Sequence, residues 1–143
     1  MIKNLYEYFL PEQEFYLHKI VYDRIDCSLS SEEILLNCAD NINVEVIDRG
    51  QVRVTVTRTL KFEPEGVFYL AVSFGANLRF NPQKENEYKW NEVNMAEEFR
   101  DNGEFVTNNL MSRITLLIAQ ITSSFGQPPL ILPSYVTKNN NEV

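Results

Sequence analysis

The stretch of sequence that decides the fold runs from Val67 to Phe80 and reads VFYLAVSFGANLRF. Every second residue is apolar over its whole length, which is the pattern of a β-strand with one face in a hydrophobic core. That face carries Phe68, Leu70, Val72, Phe74, Ala76, Leu78 and Phe80. The other parity begins with Val67, Tyr69 and Ala71, so the second face either meets a partner or is a modest patch without function.

Two earlier stretches have the same character and complete a sheet. Val44 to Phe62 alternates around the turn signal Asp48-Arg49-Gly50, so it predicts a two-stranded hairpin. Phe15 to Leu29 predicts a strand before the hairpin, and Ser30 to Asn43 predicts a crossover segment with a short helical turn capped by Ser30 or Ser31. The apolar parity of the first strand is Phe15, Leu17, Val21, Ile25, Cys27 and Leu29. Short links between strands favour antiparallel pairing.

The apolar spacing changes to a helical period towards the end of the chain. A long helix is predicted from a cap near Thr107 to Asn109 up to a stop at Gly126. Its apolar positions are Leu110, Ile114, Leu117, Ile118, Ile121 and Phe125. A shorter helix is predicted from Asn91 to Arg100, and Leu130 to Pro133 reads as an extended apolar segment. The fold class is therefore α+β, an antiparallel sheet with a long C-terminal helix across one face.

Length and composition favour one soluble domain. The chain has 143 residues, 44% of them hydrophobic, which suits a single domain over 1–143 with a packed core. The segments 1–12 and 138–143 are predicted to be flexible ends. A net charge of -7 without a basic run disfavours nucleic-acid binding.

The two cysteines, Cys27 and Cys38, are predicted to be reduced thiols in a cytoplasmic protein. The first ten residues lack the apolar core of a signal sequence. No apolar stretch reaches the length of a membrane span, so stable membrane insertion is not expected.

Nothing in the sequence identifies an enzyme. The only histidine, His18, sits in the middle of a predicted strand without a nucleophile motif nearby. Three His and Cys residues, widely spaced, are too few for a zinc site. The carboxylate pairs at 32/33, 63/65 and 97/98 read as solvated charge rather than acid–base or metal chemistry. We therefore predict no catalytic residue, no metal and no cofactor.

The C-terminal third of the chain resembles a known protein family. The helix opens with Asn109-Leu110-Met111, carries Arg113 one turn later, and is followed by Phe125-Gly-Gln-Pro-Pro-Leu-Ile-Leu-Pro133. This arrangement resembles the end of the SecB protein-export chaperone family. Upstream, Phe15 to Ile20, Val52 to Lys61 and Val67 to Phe80 resemble the family's strands in the same order.

The resemblance implies a four-stranded antiparallel sheet with two helices, assembled as a dimer or a dimer of dimers. It also implies an ATP-independent holdase that binds unfolded or partly folded polypeptides in apolar grooves, with a possible place in protein export. The polypeptide-binding residues it suggests are Ile34, Leu35, Leu36, Ile42, Phe74, Leu78, Phe80, Leu130, Ile131 and Leu132.

Several departures from the family pattern leave other functions open. Ile34 and Cys38 stand near the places of a Phe and a Trp, and Arg24, Ser28 and Ala71 stand where motor-docking members carry acidic residues. A dedicated adaptor or antitoxin-type chaperone for one specific partner is the main alternative. A small-molecule carrier or an enzyme with a cavity between helix and sheet is the third.

Overall fold

The structure is a computed structural model and describes residues 1–26 and 34–137. Its strands are β1 (Glu14–Ile25), β2 (Leu35–Ile47), β3 (Gln51–Glu63) and β4 (Val67–Arg79), and its helices are α1 (Met95–Asn102) and α2 (Glu104–Ser123). The strands form one antiparallel sheet in the order β1-β4-β3-β2. The predicted fold class, an α+β fold with a four-stranded antiparallel sheet and two helices, is confirmed.

Strand β2 corrects the predicted crossover segment. Residues from Leu35 onward pair with β3 without interruption, from Leu35 opposite Glu63 to Ile47 opposite Gln51. The sequence pattern failed here because Asp40 stands at an inward position among apolar residues and hides the alternation. The helical turn predicted at Ser30 or Ser31 lies outside the described residues.

A β-bulge in β1 corrects the predicted parity of the first strand. The register with β4 shifts between Leu17 and Lys19, so the chain has one extra residue there. After the bulge, Ile20 and Tyr22 face the helices, whereas Val21 and Ile25 lie on the other face of the sheet. The strand ends at Ile25, and the predicted continuation to Leu29 lies outside the described residues.

The core fills the layer between the sheet and the helices. Helix α2 crosses β4 and β3, and α1 packs on β2. The segment 1–12, expected to be flexible, is packed instead: Ile2, Leu5 and Phe9 are buried in the core. Leu5 opens a short 3-10 turn at Leu5–Tyr8, and Phe9, directly after the turn, forms a β-bridge with Phe80. The predicted flexible end 138–143 lies outside the described residues.

Both predicted helices are present with shifted starts. The Asn94 side chain accepts a hydrogen bond from the Glu97 N–H at 3.2 Å, so α1 begins one turn later than predicted. Helix α2 begins at Glu104, directly after Gly103, where a Cβ atom would come within 2.3 Å of the Phe99 carbonyl oxygen. Neither of these two helices is long and apolar enough to cross a membrane.

Candidate polypeptide-binding surface

Aromatic side chains from three strands and from the end of α2 surround a cavity of about 590 Å³, here called the aromatic cavity. Phe125 is its central ring, with centroids 5.2 Å from Tyr22 of β1 and 5.3 Å from Phe68 of β4. Phe62 of β3 packs edge-on against Phe68 at 5.0 Å. Such a cavity accepts apolar side chains with little demand on their identity.

The end of α2 is shaped to bring two residues into this cavity. Gly126 has a φ of 80°, a left-handed conformation that reverses the chain after the helix. The Thr122 hydroxyl donates to the Ile118 carbonyl at 2.7 Å and accepts from the Leu130 N–H at 2.9 Å. Phe125 and Leu130 therefore line the same cavity from either side of the turn.

Among the described residues, the lining of the aromatic cavity carries one charged group, Arg24. Its guanidinium lies 3.5 Å from the Asp26 carboxylate, and both side chains are largely exposed. A second cavity, of about 350 Å³, shares Phe62 and Phe68 with the first and continues past the β3–β4 turn to Tyr69 and the charged residues Lys61, Glu63 and Glu65. The apolar wall of the aromatic cavity therefore gives way to charged groups at the end of the β3–β4 hairpin.

A buried ion pair lies on the helix-facing side of the sheet. The Nε and Nη2 atoms of Arg58 donate to the two carboxylate oxygens of Asp40 at 2.8 and 2.9 Å. Both side chains are inaccessible to solvent. Burial alone would lower the pKa of Arg58, but the hydrogen bond and charge of Asp40 raise it above its ordinary value. The guanidinium is therefore a permanent cation in the core.

This pair holds the C-terminal segment, defined as residues 128–137. Arg58 donates from Nη1 to the Pro133 carbonyl at 2.7 Å and from Nη2 to the Tyr135 carbonyl at 3.0 Å. The Thr137 N–H and hydroxyl donate to Asp40 Oδ2 at 2.7 and 2.9 Å. Leu132 and Val136 pack against the core, so the segment extends the layer beside α2.

Apolar side chains on β1 and α2 are left uncovered. Two contacts join β1 to this part of the chain: Arg113 of α2 lies over the Phe15 ring at 4.7 Å, and Phe125, just after the helix, contacts Tyr22. The exposed residues of β1 and α2 outside the aromatic cavity, here called the apolar strip, are Leu17, Ile20 and Leu116, which are 42–61% exposed. Exposed apolar side chains that lie together are typical of a contact site for another molecule.

Among solved structures, the SecB-like chaperone Rv1957 of Mycobacterium tuberculosis, in complex with a ChAD peptide from the Rv1956 HigA1 antitoxin, matches with a TM-score of 0.63 and 16% identity. The match covers 84% of this chain and 83% of that one. The chain has the fold of a SecB-like chaperone. A protein of unknown function from Streptococcus agalactiae matches at a TM-score of 0.44 and 10% identity, over 85% and 95% of the two chains. No protein-family model and no curated protein matches.

The SecB-like fold places the predicted binding residues in three environments. Ile42, Leu78 and Phe80 are buried in the core and are not available to a bound chain, which removes them from the candidate surface. Ile34, Leu36, Phe74, Leu130 and Leu132 are partly buried. Leu35 and Ile131 are exposed, at 60% and 78%. Of the ten, Leu130 alone lines the aromatic cavity.

The aromatic walls of the cavity were not identified from the sequence. Phe62 and Phe68 flank the β3–β4 turn on the same parity, so their opposition across a hairpin was available from the pattern. The sequence also contained a signal for the Arg58–Asp40 pair, because each residue occupies an otherwise apolar, inward-facing position of its strand. In residues 1–26 and 34–137, no three His, Cys, Asp or Glu side chains gather as a metal site requires.

Proposed function

We propose that this chain is an ATP-independent holdase that binds unfolded or partly folded polypeptides at the aromatic cavity. The aromatic cavity is the observation that carries the proposal, since it is open, apolar and walled by rings from four separate segments. The similar M. tuberculosis chaperone was solved with a peptide of another protein, which supports polypeptide binding as the use of this fold.

Simple energetics supports reversible binding without nucleotide. One aromatic side chain of a client buries roughly 150–250 Å², which at about 25 cal/mol per Å² contributes about 4–6 kcal/mol before ordering costs. One such anchor alone falls short of the roughly 8 kcal/mol of micromolar binding, so several anchors must combine, and release is then governed by the dissociation rate. No chemical step is needed to let the client go.

The edge of the sheet adds main-chain contacts. In the described part of the chain, β2 pairs with β3 only, and its register has no bulge. A long, regular edge strand is a template on which an extended polypeptide can form further hydrogen bonds. Leu35 and Leu36 at the start of β2 would then contact the client, as predicted from the sequence.

Self-association is part of the proposal. A second copy covers the apolar strip, giving a dimer or a dimer of dimers in the cytoplasm. A role in export is the less favoured setting, because Arg24 and Ala71 stand where motor-docking relatives are acidic. A dedicated chaperone for one partner, such as an antitoxin, is the second candidate, favoured by the antitoxin peptide bound to the similar structure.

Binding of a reduced, permanently unfolded polypeptide, measured by fluorescence anisotropy with its folded form as control, tests the holdase. We expect the unfolded form alone to bind. Tyr22→Ala removes a cavity wall and should weaken binding about fivefold to thirtyfold, the loss of an aromatic contact. Tyr6→Ala removes an exposed tyrosine outside the cavity lining and is the matched control. Equal affinity for folded and unfolded forms contradicts the proposal, and binding of one cellular protein only supports the dedicated alternative.

A further inference from the structure

The contacts between the C-terminal segment and the buried ion pair follow the geometry of a main chain rather than of particular side chains. Residues 133, 135 and 137 are the ones held, and the chain bends at Ser134 and Tyr135 so that the main-chain groups of these alternate residues meet the ion pair. Arg58 reaches two carbonyl oxygens, and Asp40 receives the N–H two residues further on. Of these contacts with the segment, the hydroxyl of Thr137 makes the one that depends on a side chain.

We propose that Arg58 and Asp40 form a receptor for the main chain of a polypeptide, which the chain's own residues 133–137 occupy and for which a client competes. The inference rests on the proposed holdase function and adds where and how the client backbone is held. The C-terminal segment is then an internal ligand that closes the site when no client is present.

The chemistry of the pair explains why such a receptor is tolerant of sequence. A guanidinium offers donors in a fixed fork and a carboxylate offers only acceptors, so carbonyls and an N–H in alternation satisfy both. The side chain of Tyr135 is 62% exposed and takes no part in holding its own carbonyl. Pro133 lacks an N–H, so it presents no donor to the donor fork of Arg58.

An unoccupied receptor would be energetically unfavourable. Loss of the segment takes four hydrogen bonds from a buried pair of charges, and an unsatisfied buried charge is strongly unfavourable. Exchange of the segment for a client main chain that follows the same path conserves those bonds. The site therefore favours displacement by a client over simple opening.

The receptor is continuous with the aromatic cavity. Pro128 and Leu130, at the start of the C-terminal segment, line that cavity, and Pro133 to Thr137 lie on the ion pair. A client that follows the same path places an apolar side chain in the cavity and its main chain on Arg58.

Amide hydrogen exchange at Thr137 in the full-length protein tests the competition directly. Saturation with a reduced, unfolded polypeptide should accelerate exchange of the Thr137 N–H, because the client replaces it at Asp40. Thr137→Val removes the hydroxyl contact at nearly constant volume and should raise client affinity about twofold to tenfold, the equivalent of one weakened hydrogen bond to a charged group. Ser134→Ala, at a position whose side chain is exposed, is the control and should leave affinity unchanged.

Unchanged Thr137 exchange at saturating client, or equal affinities for the Thr137→Val and Ser134→Ala proteins, overturns the inference while leaving the holdase intact. If no unfolded polypeptide binds, the proposed function fails, and a labelled peptide of residues 128–137 still examines the receptor. That peptide should bind the Thr137→Val protein and lose about tenfold or more when methylated at the Thr137 nitrogen. Methylation at the Ser134 nitrogen should have no such effect, and equal losses at both positions would rule the receptor out.

Discussion

Tyr16 of β1 lies across Gly75 of β4, its direct partner in the sheet, so closely that a Cβ atom at position 75 would come 2.5 Å from the ring Cζ. Glycine is therefore required by the tyrosine ring on this face. Gly75→Ala should lower the free energy of unfolding by about 1–3 kcal/mol, the usual cost of overpacking. Urea denaturation measures it.

The same substitution in a Tyr16→Val background separates this explanation from a general effect of alanine in the strand. With the ring removed, the added methyl group meets open space, and most of the loss should disappear. An equal loss in both backgrounds would contradict the close approach as its cause.

The buried ion pair predicts that two carboxylates of β2 contribute very differently to the free energy of unfolding. Asp40→Ala leaves Arg58 charged and unpaired in the core and should lower the free energy of unfolding by about 3–5 kcal/mol. Glu45→Ala removes the partner of Arg53, whose contact is 3.8 Å long and exposed, and should change it by less than about 1 kcal/mol. Denaturation midpoints of the two proteins measure the difference, and similar midpoints would refute the buried pair.

The apolar strip predicts where self-association is sensitive to charge. Leu17→Glu places a carboxylate in the strip and should shift the light-scattering mass towards the monomer at micromolar concentration, since a buried unpaired charge opposes the contact. Leu35→Glu, on the opposite edge of the sheet, changes a leucine that is also exposed and should leave the mass unchanged. A lower mass for Leu35→Glu alone would indicate that the interface lies on β2 instead.

The environment of the Cys38 thiol predicts how its alkylation depends on pH. Burial raises its pKa above 9.0, with the Arg58 charge acting in the opposite direction. The folded state therefore holds the thiol proton more tightly than the unfolded state does. The thiol's contribution to the free energy of unfolding is fully present below its pKa in the unfolded state and is lost as pH rises through its pKa in the folded state. Alkylation in a Cys27→Ser background should therefore require more alkaline pH in the folded protein than in urea. Coincident profiles would refute the shift.

The alternation in Val67 to Phe80 and the hairpin around Asp48 to Gly50 identified most of the sheet, because each residue's environment there follows its own parity. That rule fails at His18, where the bulge shifts the parity, and at Asp40, whose partner Arg58 is distant in sequence. Bulges and buried ion pairs depend on contacts between strands, which periodicity along one strand does not contain.

The candidate site was less accessible to sequence reasoning than the fold. The resemblance pointed to Leu130 and to the start of β2, but it also selected core residues such as Leu78. Whether an apolar side chain faces a cavity or a neighbouring helix is decided by where α2 ends: Phe125 meets Tyr22 just beyond that end, and the reversal at Gly126 returns Leu130 to the same cavity.

The contacts of the C-terminal segment have a genetic consequence. Arg58 selects carbonyl oxygens 75 and 77 positions further along the chain, and Asp40 selects an N–H 97 positions away. Every amino acid has these carbonyl groups, so codon changes at 134 or 135 leave the path of the segment largely intact, whereas changes at 40 or 58 redirect it. The path of the chain at residues 133 to 135 is thus encoded in large part by two codons of the sheet, and positions 134 and 135 are free to diverge.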